Sequence, residues 1–179
     1  MPAPDPWLEL LDDGRVREAG AARSRQRWLR ASAEADASLA GMLVDLAERR
    51  ADVTLATTAG RVHQATVRAV GDDVVALRPP SAGLLLVPLA AVAWVRPVAG
   101  ALPAGTRAPS GGPRLVELLG RAGERGDQAV LTLAGGTTVA GRVEIATRDG
   151  VRIRPEGPPG AAVYVSATSI REAALFRSG

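Results

Sequence analysis

The chain repeats itself. Leu39–Val98 aligns with Leu115–Ala174 at a constant offset of 76 residues without a gap, and 13 of the 60 pairs are identical. They include Leu39/Leu115, Leu43/Leu119, Glu48/Glu124, Gly60/Gly136, Val67/Val143, Asp73/Asp149, Arg78/Arg154, Pro79/Pro155 and Val87/Val163. Chance supplies some matches in a chain rich in Ala, Leu and Arg. The paired Gly, the paired Arg-Pro and the shared apolar positions mark one structural unit used twice. Every element must then fit both copies, which constrains the fold far more than the function.

The repeat sets the expected organisation of the 179 residues. A helical N-terminal extension covers 1–38, a first unit 39–98, a Pro/Gly-rich linker 99–112 and a second unit 113–176. A unit of about 60 residues is near the size at which a lone core is marginal, so contact between units or with the extension is expected.

The hydrophobic period changes inside each unit. Asp5-Pro6 reads as a helix start and Gly14 as its end. A longer helix is expected from about Arg23 to Arg49, with Trp28, Ala35, Leu39, Met42, Leu43 and Leu46 at helical spacing. Its counterpart is Pro113–Arg125. The period then becomes two. The first unit has candidate strands at Val53–Thr57, Arg61–Val70, Val74–Arg78, Leu84–Leu89 and Val92–Val95. The second has them at Val130–Leu133, Val139–Ile145, Val151–Arg154, Ala162–Ser166 and Ser169–Glu172. One helix and about five short strands per unit predict a mainly β, α+β fold: two tandem five-stranded closed barrels of SH3-like type, each preceded by a helix.

The motif Leu133-x-x-Gly136-x-x-Val139-x-Gly141-x-Val143 resembles the first signature of the Sm-like small barrels, the group that includes Hfq. The preceding helix, the Val151–Ile153 strand and the Val163–Ala167 segment are similar to the same plan. In the first unit Gly60 and Val67 keep the motif, while Ala65 and His63 depart from it. The resemblance implies Sm-like barrels and, through them, single-stranded RNA as a partner. The residues matching the family's RNA-contacting positions differ: Thr147 and Val151 in one unit, Gly71 and Val75 in the other, and Pro88-Leu89-Ala90 before the last strand.

Strand parity then nominates surfaces. In the second unit Val139, Gly141, Val143, Ile145, Val151, Ile153, Val163 and Val165 are expected to face inward. Arg142, Arg152, Arg154 and Tyr164 face outward with Glu144, where cations beside an aromatic ring could hold phosphates and stack a base. The same pattern also describes an ordinary solvated face with Tyr lying over Arg stems. In the first unit the Leu84–Val87 run is apolar on both sides of its strand, which implies burial on both faces. Leu84, Leu86 and Pro88 are therefore candidate interface residues, against the other unit, the N-terminal helices or another chain. Pro88 implies an edge strand or a bulge.

Composition removes several classes of function. The chain has no Cys and one His, which excludes disulfide scaffolds, thiolate sites and cysteine nucleophiles and leaves no basis for zinc or another cofactor. No nucleophile–base pair or paired carboxylates stand at a useful spacing, so no catalytic residue is nominated and the chain reads as non-enzymatic. All 22 basic residues are Arg, set against 19 acidic ones. The pI of about 10.7 thus reflects the high pKa of Arg more than a basic surface, in a composition that GC-rich coding produces. The N-terminus lacks a signal-peptide pattern and the run Leu84–Val95 is too short to cross a bilayer, so a cytoplasmic, membrane-free protein is expected. Two readings remain: an RNA-associated protein using the Arg/Tyr face, or an assembly module, as a homo-oligomer or with a protein partner, using the apolar run.

Overall fold

The period-two stretches form ten strands, and the computed structural model joins all ten into one sheet. It describes residues 38–81, 83–107, 111–156 and 160–177. Residues 1–37 of the expected helical extension lie outside them. The helix expected from about Arg23 to Arg49 is not continuous: it begins at Leu39, and Ser38 is extended as its N-cap.

The first half comprises α1 (Leu39–Glu48), β1 (Asp52–Thr57), β2 (Val62–Val70), β3 (Val74–Arg78), β4 (Leu84–Pro88) and β5 (Val92–Pro97). The second half comprises α2 (Leu115–Glu124), β6 (Gln128–Leu133), β7 (Thr138–Ala146), β8 (Gly150–Arg154), β9 (Val163–Ser166) and β10 (Ile170–Phe176). The strand order is β5-β1-β2-β3-β4-β10-β6-β7-β8-β9, antiparallel throughout.

This order corrects the expectation of two closed Sm-like or SH3-like barrels. Neither half closes its own ladder. The fourth strand of the first half pairs instead with the last strand of the second: Leu84↔Leu175, Leu85↔Ala174 and Leu86↔Ala173. Backbone groups are the same in every strand, so the β4–β10 seam satisfies them as well as closure would. The result is a single open sheet whose outer strands are β5 and β9.

The repeat survives in the order of pairing, with one change of offset. Through β1–β3 and β6–β8 the halves correspond at 76 residues. The loop after Arg154 is two residues longer than the loop after Arg78, because Leu77↔Leu85 matches Ile153↔Val163. For the last two strands the offset is therefore 78, and Val87 corresponds to Val165 rather than Val163. The Gly60 and Gly136 match has a local cause: both sit at φ near +80° in the hairpin turns β1–β2 and β6–β7, where a side chain is strained. At Gly141 a Cβ would stand 2.1 Å from the carbonyl oxygen of Arg154, so only Gly lets β7 bend this tightly onto β8.

Two cores share β4. One gathers Leu43 and Leu46 of α1 with Val53, Leu55, Val67, Val75, Leu77, Leu85 and Val87. The other gathers Leu115 and Leu119 of α2 with Leu131, Val143, Val151, Ile153 and Leu175, together with Val74 and Leu86 from the first half. Alternate side chains of β3 and β4 thus enter different cores. Pro88 is not on an edge strand: β4 is interior, and Pro88 ends it beyond the three pairs to β10, where its missing N–H breaks nothing on that side.

Polar ties hold the same arrangement. The Asp73 carboxylate accepts from the Leu115 amide at 2.8 Å and Asp72 from the Gly112 amide at 2.8 Å. The β2–β3 turn of the first half thereby caps the helix of the second. The connecting segment lies on α1: Ser38 N–H donates to the Gly105 carbonyl at 3.0 Å, and Arg107 pairs with Asp45 and Glu48.

A residue inside the shared strand tests this account. Leu86 is fully buried, and Leu86→Ala is expected to lower the stability of the whole chain by about 2–5 kcal/mol. Urea denaturation followed by circular dichroism should remain a single transition. Two separate transitions in the native chain would contradict the shared core.

Candidate assembly interface

The structure contains one built interface, the seam between the halves, and two strand edges that correspond to its two sides. The seam begins with backbone pairing and apolar contact. Of the three nominated interface residues, Leu84 and Leu86 lie in it, opposite Leu175 and Ala173. Pro88 lies just past it, opposite Val74.

Beyond the end of that ladder the seam becomes polar. Glu172 is 2% exposed on β10, beside a bulge in its pairing with β6. Its Oε2 lies 2.5 Å from Nε2 of His63 on β2. Its Oε1 lies 2.9 Å from Nε of Arg61, a contact that is an ion pair without hydrogen-bond alignment. Arg61 also donates to the Thr132 hydroxyl at 3.4 Å. A buried carboxylate is tolerated only when it is paired, so this cluster demands that both halves be present and in register. Beside it is a cavity of about 250 Å³ whose polar end is Arg61, His63 and Glu172 and whose walls include Leu84, Leu175 and Phe176.

Burial alone would raise the Glu172 pKa. The hydrogen bond from His63, the charges of His63 and Arg61 and the Thr132 hydroxyl outweigh it, and the carboxyl is held below its ordinary 4.5. No parity rule finds this cluster. His63 and Glu172 are 109 residues apart, and Glu172 stood in the sequence only as the last residue of the short candidate strand Ser169–Glu172.

The Arg/Tyr face is assembled as follows. Arg142 pairs with Arg154 across β7 and β8, and Arg152 pairs with Tyr164 across β8 and β9. All four are exposed. Glu144 lies among them: its Oε1 accepts from Arg154 Nε at 2.5 Å and its Oε2 lies 3.0 Å from Arg152 Nε. Two of the three cations are therefore already matched by a carboxylate. A bulge between Val143 and Ile145 also reverses the expected parity there, and Ile145 is 46% exposed instead of inward. Val163, expected inward, is 39% exposed because its strand is outermost.

The two outer strands carry apolar surface. Eight large hydrophobic residues are exposed among the described residues, and four of them stand at these edges: Trp94 and Val98 on and just after β5, Val163 and Tyr164 on β9. Single exposed apolar residues are ordinary, but their gathering on open strand edges is how a pairing surface looks. Among the described residues, no three His, Asp or Glu gather as a metal site, and no helix is long and apolar enough to cross a membrane.

Compared with family models, curated proteins and solved structures, the chain matches none of them. The arrangement of this chain's own residues therefore carries the functional reading.

The lowered Glu172 pKa has a definite sign. Folding favours the carboxylate, so the stabilisation is complete above the unfolded-state value and is lost as pH falls through the lower folded value. Thermal midpoints of the native chain should fall as the pH drops below the ordinary carboxyl value. In Glu172→Gln the midpoint should be lower near neutrality and the fall shallower. An identical acid limb in the variant would show that the cluster does not couple the halves.

Proposed function

We propose that this chain is a self-assembling module in which the β9 edge of one copy adds to the β5 edge of the next. The supporting observation is the correspondence of edges to seam. At the offset of 78, β9 is the counterpart of β4 and β5 is the counterpart of β10. The seam that joins two halves within the chain has both of its sides present again at the ends of the sheet, unpaired among the described residues. Adding a strand to such an edge satisfies a row of backbone groups at once and covers the four edge hydrophobics. The contact is head-to-tail, so it closes into a ring or grows, depending on the angle between copies.

The seam register predicts the register between copies. Ala173↔Leu86, Ala174↔Leu85 and Leu175↔Leu84 become Val95↔Tyr164, Arg96↔Val163 and Pro97↔Ala162. The outer face of the copies differs from that of the seam: Arg152 and Tyr164 stand where Ala76 and Leu86 are covered within the chain. Tyr164 offers a ring for that contact, and Glu144 already matches Arg152. Single-stranded RNA on Arg142, Arg152, Arg154 and Tyr164 draws less support, because the same Glu144 matches two of the cations RNA would need.

Charge at one predicted pair tests the module. Val163→Lys sets a cation opposite Arg96 of the next copy, a juxtaposition that costs several kcal/mol. Sedimentation should show the native chain as an oligomer and Val163→Lys as a monomer. Adding Arg96→Asp to Val163→Lys should restore assembly. A native chain that stays monomeric, or a Val163→Lys variant of unchanged size, would overturn the proposal.

A further inference from the structure

We propose that Trp94 of one copy seats against Val139 of the next, as an apolar counterpart of the charged cluster inside the chain. The inference rests on the edge-to-edge reading above and names the side chains that make it specific. Within the chain, Glu172 leaves β10 beside a bulge and crosses to Arg61 and His63 at the start of β2. Its counterpart at the offset of 78 is Trp94. Trp94 sits opposite Ala56 as Glu172 sits opposite Thr132, and the bulge recurs at the matching place in β5.

The other side of the contact changes in step. At the offset of 76, Arg61 and His63 correspond to Thr137 and Val139. The carboxylate that faces Arg61 and His63 inside the chain thus becomes an indole facing the Val139 isopropyl group between chains. Trp94 is 46% exposed in the single chain, and Val139 is half-buried at the margin of the second core. Both sides of the substitution are apolar, as a contact requires, although the two residues belong to different halves and share no strand.

The exchange makes the two seams non-interchangeable. If β10 paired with a β9 edge, Glu172 would be buried against Val139 with no cation, which is strongly unfavourable. If β5 paired with β4, Trp94 would displace the carboxylate that His63 and Arg61 require. Each wrong pairing is penalised by what makes the right one favourable. The between-chain ladder also has less backbone to offer, because Pro97 stands where Leu175 stands and has no N–H to give. A side-chain anchor then carries more of the contact, and Trp is the residue type most often found in that role.

The absence of Cys makes site-directed cross-linking clean. A Trp94→Cys, Val139→Cys chain, held at a concentration where the Trp94→Ala chain still assembles or, if it does not, at the highest soluble one, should give covalent multimers with a short thiol-to-thiol cross-linker. A Val95→Cys, Tyr164→Cys chain reports the strand ladder alone. Trp94→Ala in the otherwise native chain should raise the dissociation constant at least tenfold, while Trp94→Phe retains most of the affinity. Cross-linking of both pairs with weakened assembly of Trp94→Ala supports the proposal. Multimers from the Val95/Tyr164 pair alone, or native-like assembly of Trp94→Ala, would overturn the Trp94 seat and leave the edge pairing standing. No multimers from either pair, with a monomeric native chain, would remove both.

Discussion

Everything in this fold depends on β4 serving two cores. Leu85 and Val87 enter the core beneath α1, while Leu86 enters the core beneath α2. A strand with one wet face could be the edge of a free-standing unit. A strand of Leu-Leu-Leu-Val has no wet face, and neither half can complete its core without covering it. Each half alone is near the size at which a core is marginal. Sharing a strand raises the apolar area buried by both without lengthening the chain.

The polar contacts follow from that constraint and sharpen it. Once β4 and β10 pair, Glu172 is carried to Arg61 and His63, and the Asp73 carboxylate is carried to the first amide of α2. These contacts add less to stability than burial does, but they are intolerant of misalignment. A slip of one residue would leave a buried carboxylate unpaired. The seam is thus set by shape and checked by charge. The outer edges repeat its backbone with different side chains, which is why assembly and its specificity are read from the places where the copies diverge.

Much of the local structure was legible in the sequence. The period-two stretches lie where the ten strands are, Gly60 and Gly136 mark the matched hairpins, and the doubly apolar Leu84–Val87 run announced a strand covered on both faces. What covers it was not legible, because any strand can complete any ladder and pairing is decided by long-range packing. Closed barrels and one open sheet use the same strands. The constant offset of 76 concealed the two extra residues after Arg154, and so misaligned the last two strands. The bulge beside Glu144 could not be read from parity, which assumes a regular strand. Of the Arg/Tyr face, the residues were visible and their neutralisation by Glu144 was not.

The central claim is that the halves form one cooperative unit through the β4–β10 seam, and native-state hydrogen exchange of the full chain tests it most directly. The seam amides of Leu85, Leu86, Ala173 and Ala174 should exchange only through global unfolding, with the same free energy as the slowest amides of β1 and β6. Seam amides that open first, followed by different limiting free energies for the two halves, would contradict it.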